Sequence, residues 1–376
     1  SRAEVDKCAW VCDYYAENAE AFLAPIPVAT EASESLISFQ PLGVVLAVMP
    51  WNYPLWQVFR FAAPALMAGN GVVLKHAPNV FGTAFQIEAL LQKSALPENL
   101  FRNLAVDTDA VADIIRNPRV RAVTLTGSVR AGRAVAGIAG QALKKTVLEL
   151  GGSDAYVILK DADLAAAALA CVTSRMINGG QSCIAAKRFV VEKAVLQPFT
   201  ELVVAGMQAY RMGDPTDPDS SLGPLARMDL RETLHHQVKR SLAKGAIALL
   251  GGDLPDGPGA YYPPTVLSNV GPGMPAYEEE LFGPVASLIA AENEADALRI
   301  ANDSVFGLGG AIFTADAQRG QHLAETHLQA GCCFVNDFVR SDPRVPFGGI
   351  KDSGYGRELG LFGIREFVNI KTVWVK

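Results

Sequence analysis

Two residue types that together can run covalent acyl chemistry occur in glycine-rich settings near the middle of this chain. Glu149 opens Glu149-Leu150-Gly151-Gly152, and Cys183 closes Asn178-Gly179-Gly180-Gln181-Ser182-Cys183. A thiolate can add to a carbonyl carbon, and a carboxylate can take a proton from the water that later releases the acyl group. The glycines let the backbone bend sharply and pass close to a ligand. Each residue also has a plainer reading. Cys183 fits a packed thiol, as do Cys8, Cys12, Cys171, Cys332 and Cys333, and Glu149 fits a strand-end acid paired with Lys144 or Lys145. Asn52, in Pro50-Trp51-Asn52-Tyr53-Pro54, either points its amide at a developing oxyanion or caps the helix that follows. Arg60 lies in the apolar stretch 55–63, where a guanidinium needs an anion, supplied by a ligand carboxylate or by an Asp or Glu of the protein.

The elements that must hold these groups alternate. Apolar, β-rich runs at 43–49, 71–75, 121–126 and 146–150 predict strands, and 54–68, 80–94, 107–116 and 129–144 predict helices. Such a βαβ series implies a parallel sheet. The pattern restarts after Gly152 with a strand at 156–159 and a helix capped by Asp161 or Asp163 that ends near Gly179-Gly180, which opens a second α/β domain. Residues 33–40 and 367–375 alternate apolar and polar as strands do, and 253–264 reads as a surface loop. No GxGxxG follows the first strand. Gly127-Ser128 instead ends a strand and opens a helix, where backbone N–H groups can face a phosphate.

A length of 376 residues exceeds what one hydrophobic core usually organises, so two domains are expected. The net charge of −6, with no Lys/Arg cluster, argues against nucleic acid, and the lack of a long apolar run argues against a membrane span. Small molecules are the expected partners. Scattered cysteines without secreted-domain spacing fit a reducing cytoplasm, and the five histidines show no metal spacing, so no metal is expected.

Together with Glu280-Leu281-Phe282-Gly283-Pro284 and Pro346-Phe347-Gly348-Gly349, the stretches around Asn52, Glu149 and Cys183 resemble the aldehyde dehydrogenase family in order and spacing, with the flavour of its bacterial succinate-semialdehyde dehydrogenases. The resemblance implies an α/β fold with three parts. These are a parallel-sheet cofactor domain (1–18 and 41–150, its N-terminal part shortened against the family), an α/β catalytic domain (151–352), and a small β oligomerisation lobe (19–40 and 366–376) that joins a homodimer or homotetramer. It implies Cys183 as nucleophile, Asn52 with the Cys183 backbone as oxyanion donors, and Glu149 as the base that activates water. A hydride must leave to a nicotinamide cofactor, since no side chain can accept it. By resemblance Gly127 and Ser128 meet the pyrophosphate, and Lys75 meets the adenosine ribose. Glu280 and Phe282 grip the nicotinamide ribose and ring, while Met49, Pro50, Trp51 and Leu150 give backbone or packing contacts. Pro78 stands where strict NAD enzymes of the family often carry a glutamate, so NAD is expected with NADP tolerated. Arg60 matches the arginine that binds the substrate's distal carboxylate in the succinate-semialdehyde group. Ile177 replaces a second arginine found there, leaving Ser341, with Arg340 and Asp342, to complete the grip. The expected reaction is NAD(P)-dependent oxidation of succinate semialdehyde to succinate. The alternatives are another aldehyde, such as glutarate semialdehyde or an uncharged aliphatic one, or a non-catalytic binding or structural protein on the same fold.

Overall fold

The structure, a computed structural model, describes residues 2–376, and the chain divides into two compact units. One holds the chain through Leu150 together with Ser341–Gly348 and Gly354–Lys376. The other holds Gly151–Arg340 and Gly349–Ser353.

Among its described residues the first unit contains a six-stranded sheet in the order Gly354–Tyr355, Lys145–Glu149, Val120–Thr126, Val44–Met49, Gly71–His76, Phe101–Asn103. Pairing is parallel except at the Gly354–Tyr355 edge. The interior strand Val44–Met49 is wholly apolar, as a strand covered on both faces must be. The helices Trp56–Met67, Phe81–Lys93, Val111–Arg116 and Val129–Gln141 follow strands as crossovers. Leu46, Val123, Leu125 and Leu148 from the sheet form one core with Val135 and Ala139 from the last of these helices. Register brings Met49 beside His76 and Thr126 beside Glu149, so the carboxyl ends of these strands share one edge of the sheet. Open α/β sheets bind their ligands at that edge.

The same unit carries a small antiparallel sheet in which Glu34–Pro41 pairs along its whole length with Val368–Val375, with Ile26–Pro27 on its other side. A helix, Arg2–Leu23, turns Cys8, Val11, Tyr15 and Ala19 inward and packs on the helices Trp56–Met67 and Gly360–Arg365. It takes in residues 19–23, which the sequence assigned to the strand lobe.

The second unit holds a seven-stranded sheet in the order Ile247–Leu250, Thr265–Ser268, Val285–Ala291, Arg188–Glu192, Ala155–Ile158, Gly309–Phe313, Cys332–Val335. It is parallel apart from the Ile247–Leu250 edge. Its core runs through Val157, Val190, Leu267, Val285 and Ile312 and is covered in part by Leu234 and Val238. The stretch 151–352 is not continuous in this unit, because Ser341–Gly348 belongs to the first. Both units are thus α/β with mainly parallel sheets. No described helix is long and apolar enough to cross a membrane.

Candidate active site

In the first unit the chain leaves the strand Val44–Met49 through Pro50, Trp51 and the half-buried Asn52, then enters the helix Trp56–Met67. Two of that helix's opening N–H groups, from Leu55 and Trp56, donate to Glu4 Oε1 at 2.9 and 3.0 Å. The cap is therefore a carboxylate from the Arg2–Leu23 helix, well placed against the positive end of the helix dipole. The turn is also tied to the neighbouring strand. Buried His76 accepts the Ala77 N–H on Nδ1 (2.9 Å) and donates through Nε2 to Pro54 O (2.9 Å). That pattern needs the neutral ring, and burial lowers its proton affinity accordingly.

Lys75, one residue earlier, is buried at the strand end, and burial holds its ammonium below the usual lysine range. Pro78 is exposed and opens a short turn, Pro78–Val80. After the strand Val120–Thr126, Gly127 donates to Glu149 O at 2.9 Å, and Ser128 caps the helix Val129–Gln141 by accepting from Ala131 N at 3.3 Å. Leu150 is buried against Gly132, where an added Cβ would sit 2.6 Å from its methyl carbons. That close approach draws the start of the helix toward the end of the Glu149 strand.

Glu149 is 1% exposed, and among the described residues neither of its carboxylate oxygens has a hydrogen-bond donor. Burial pushes this carboxyl well above the ordinary range. Arg60 pulls it down, Glu358 raises it, and Arg357 pulls it down again. Lys144 instead donates to the carbonyls of Ile115 and Asn117, and Lys145 pairs with Glu366 at 2.9 Å. Neither lysine neutralises Glu149. Gly348 lies so close that an added Cβ would come within 2.8 Å of Glu149 Oε1.

Arg60 and Glu358, 2% and 3% exposed, form an ion pair. Arg60 Nη2 donates to Thr126 Oγ1 at 3.2 Å, and the guanidinium lies 4.8 Å from the Phe347 ring centroid. The anion that Arg60 meets in this structure is the protein's own Glu358, the protein-acid alternative that its sequence setting left open. Ser341 is also engaged, accepting from Lys7 Nζ at 2.8 Å while Lys7 lies 4.4 Å over Trp56. Asp342 pairs with Arg344, and Arg340 with Asp337.

In the second unit the helix Leu164–Met176 runs into a bend in which Asn178, Gly179 and Gly180 all have positive φ (54°, 60° and 75°). A Cβ on Gly180 would run into the Gly283 carbonyl. Half-buried Cys183 follows. Gly152 packs on it so closely that a Cβ would sit 2.6 Å from Cys183 O. Two buried cations hold this loop by its carbonyls. Arg175 Nη2 donates to Gly180 O at 2.6 Å. Lys187 Nζ donates to the carbonyls of Ser182, Cys183 and Ala185 at 3.3, 2.8 and 3.0 Å. Glu280 lies 3.9 Å from Lys187 Nζ and accepts the Gly152 N–H at 3.0 Å; Phe282, two residues on, is half-buried.

The expected residues are therefore divided. Asn52, Arg60, Lys75, Glu149 and Ser341 stand in the first unit, and Cys183, Glu280 and Phe282 in the second. Sequence reasoning missed Glu4, His76, Arg175, Lys187 and Glu358. Only Lys187, which with Arg188 interrupts the apolar run that follows the cysteine, carried a readable signal.

Comparison with known proteins supplies the remaining finding. Residues 1–373 match the model of the aldehyde dehydrogenase family. The chain is 52% identical over 374 residues to the succinate semialdehyde dehydrogenase [NAD(P)+] Sad of Escherichia coli (strain K12), covering 100% of this chain and 81% of that protein. It is 50% identical over 373 residues to a probable NADP+ succinate-semialdehyde dehydrogenase of Synechocystis, covering 99% and 82%. Among solved structures, the succinic semialdehyde dehydrogenase of Streptococcus pyogenes in complex with NADP+ superposes with a TM-score of 0.97 at 39% identity, over 99% of this chain and 82% of that one.

Proposed function

This chain belongs to the aldehyde dehydrogenase family, and from that premise we propose that it oxidises succinate semialdehyde to succinate, using NAD and also accepting NADP. The observations that carry the reading are, in one unit, a thiol on a carbonyl-pinned loop and, in the other, a buried carboxylate with no hydrogen-bond donor among the described residues. In this reading Cys183 attacks the aldehyde carbon, and the oxyanion that forms is held by the Asn52 amide and a backbone N–H. A bound nicotinamide would supply the hydride acceptor, and loss of hydride from the adduct would leave a thioester on Cys183. Glu149 then takes a proton from water as its oxygen attacks the thioester, freeing the acid and restoring the thiol. Its lack of hydrogen-bond donors and its raised proton affinity suit a base that must take a proton from water.

Each unit carries residues that would hold part of the cofactor. The helix start at Gly127-Ser128 offers N–H groups to phosphate. Lys75 supports the adenosine ribose, with Met49, Pro50, Trp51 and Leu150 as flanking contacts, and Glu280 with Phe282 supports the nicotinamide end. Exposed, uncharged Pro78 puts no negative charge against a 2′-phosphate, and the relatives named above include NADP+ enzymes. A second reading, glutarate semialdehyde or an uncharged aldehyde, is favoured by one observation: Arg60 already spends its charge on Glu358. In the first reading Arg60 exchanges that partner for the substrate carboxylate, and Ser341 assists. We further infer a cytoplasmic homodimer or homotetramer joined through the small sheet.

The test is steady-state kinetics with succinate semialdehyde, glutarate semialdehyde and butanal, each with NAD+ and NADP+. The expected result is a kcat/KM for succinate semialdehyde at least about tenfold above that for butanal, equivalent to about 1.4 kcal/mol of carboxylate recognition. Equal values would leave the second reading standing. Glu149→Gln should accumulate a succinyl group on Cys183, visible by mass spectrometry after quenching; the absence of any adduct during measurable turnover would remove the thioester route.

A further inference from the structure

Lys187 is 1% exposed, and its ammonium has been taken out of water, a costly arrangement unless the site uses the charge. All three of its hydrogen bonds go to backbone carbonyls of the cysteine loop, the shortest to Cys183 itself. A single carbonyl would suffice to satisfy a buried donor in part. Three from one tight turn fix the loop's shape and place a positive charge at its centre.

The geometry points to Lys187 as a positioning residue that pins the nucleophile loop and stabilises Cys183 as a thiolate, with Glu280 as the counter-charge that sets how much of this effect reaches the sulfur. Cys183's role as nucleophile rests on the function proposed above; the coupling of charges does not. The anions facing Lys187 are Glu280, 3.9 Å away on the 279–284 loop, and Asp154 at the start of the strand Ala155–Ile158; Arg175, from the helix Leu164–Met176, faces it as a like charge. Burial lowers Lys187's own proton affinity, while Glu280, Asp154 and a charged Cys183 raise it, so cysteine and lysine charges favour each other. Glu280 acts in the opposite sense. While it sits beside Lys187 and accepts from Gly152, part of the lysine's field is cancelled. Any movement of Glu280 toward a ligand leaves more of that field to the thiol.

The pH dependence of alkylation tests this. Ligand-free protein is treated with iodoacetamide across pH 5–10, with carbamidomethylation of Cys183 followed by peptide mass spectrometry. Lys187→Met is expected to raise the midpoint by about one pH unit or more, whereas Lys187→Arg keeps it near the wild-type value even if the plateau rate falls. Glu280→Gln is expected to move the midpoint the other way. Loop positioning alone would alter rates but no midpoint, so unmoved midpoints in Lys187→Met and Glu280→Gln overturn the proposal. Should Lys187→Met fail to fold, the sign of the Glu280→Gln shift decides alone. No aldehyde is oxidised in this experiment, so a protein that shifts as expected yet turns over no aldehyde refutes the proposed function and leaves the role of Lys187 intact.

Discussion

Arg60 and its neighbours form a charge problem that a single cation only partly solves. One guanidinium faces two carboxyls, Glu149 and Glu358, all three nearly inaccessible to water. Both carboxyls are raised above the ordinary range, chiefly by burial, so the cluster favours holding a proton. Removing the cation should cost far more than a surface pair would. Arg60→Ala is expected to lose about 3–5 kcal/mol in denaturant unfolding, because Glu358 stays buried without a partner, and Arg60→Ala/Glu358→Gln should recover part of it. A single-mutant loss under about 1 kcal/mol would mean water or another cation already compensates. Asp154 in the second unit makes a pH prediction. Burial pushes its carboxyl up to about 6, although Gly309 N–H donates to it. A raised acid binds its proton better folded than unfolded. Its stabilisation is therefore complete below the unfolded value near 3.8 and fades as pH climbs through about 6. Asp154→Asn should gain stability relative to wild type over that window, on the order of 3 kcal/mol by pH 7.5, and a pH-independent difference in unfolding free energy would contradict the assignment. At this scale the sequence showed that Arg60 needed an anion. It could not show which one, because Glu358 lies almost three hundred residues away and an ion pair leaves no periodic trace.

Elements were legible in proportion to how completely they are buried. Val44–Met49 is wholly apolar and Val120–Thr126 is buried except at Arg121, because both faces of the sheet are covered, and their βα alternation identified the parallel sheet. Phe101–Asn103 is an edge strand of three residues with a single buried side chain, too short to show a period. The stretch 107–116 was expected to be one helix, but it begins as a 3₁₀ turn, Thr108–Ala110, before Val111–Arg116. The Arg2–Leu23 helix was legible in principle, since Cys8, Val11, Tyr15 and Ala19 recur at spacings of three and four. What no local pattern could show was that its Glu4 caps another helix. Glu4→Ala should lower stability by about 1–2 kcal/mol, measured as a fall in Tm, since two N–H groups lose a charged acceptor. A Tm unchanged within error would mean solvent caps that helix equally well.

For the molecule as a whole, the small sheet is where association should be tested. Val368–Val375 is an edge strand of that sheet, and Ile370, Trp374 and Val375 are exposed on it, the kind of edge that either pairs or aggregates. Ile370→Lys with Trp374→Lys should lower the mass seen by light scattering after size exclusion from a dimer or tetramer to a monomer, and an unchanged oligomer would place the interface elsewhere. The division into units was half legible. The restart of the βαβ pattern after Gly152 marked the boundary at Leu150, but nothing in composition showed that Ser341–Gly348 leaves the second unit for the first.

The partner of Glu34–Pro41 has a consequence for how the protein is made. Apart from the two-residue strand Ile26–Pro27, its ladder is filled by Val368–Val375, and Ser33 Oγ meets Val375 O at 2.9 Å across 342 residues of sequence. At about 5–20 residues per second a ribosome needs tens of seconds to cover that distance. Throughout that wait the early strand emerges with one side of its backbone unclaimed, so the nascent chain, more than the finished enzyme, is the form that depends on chaperones.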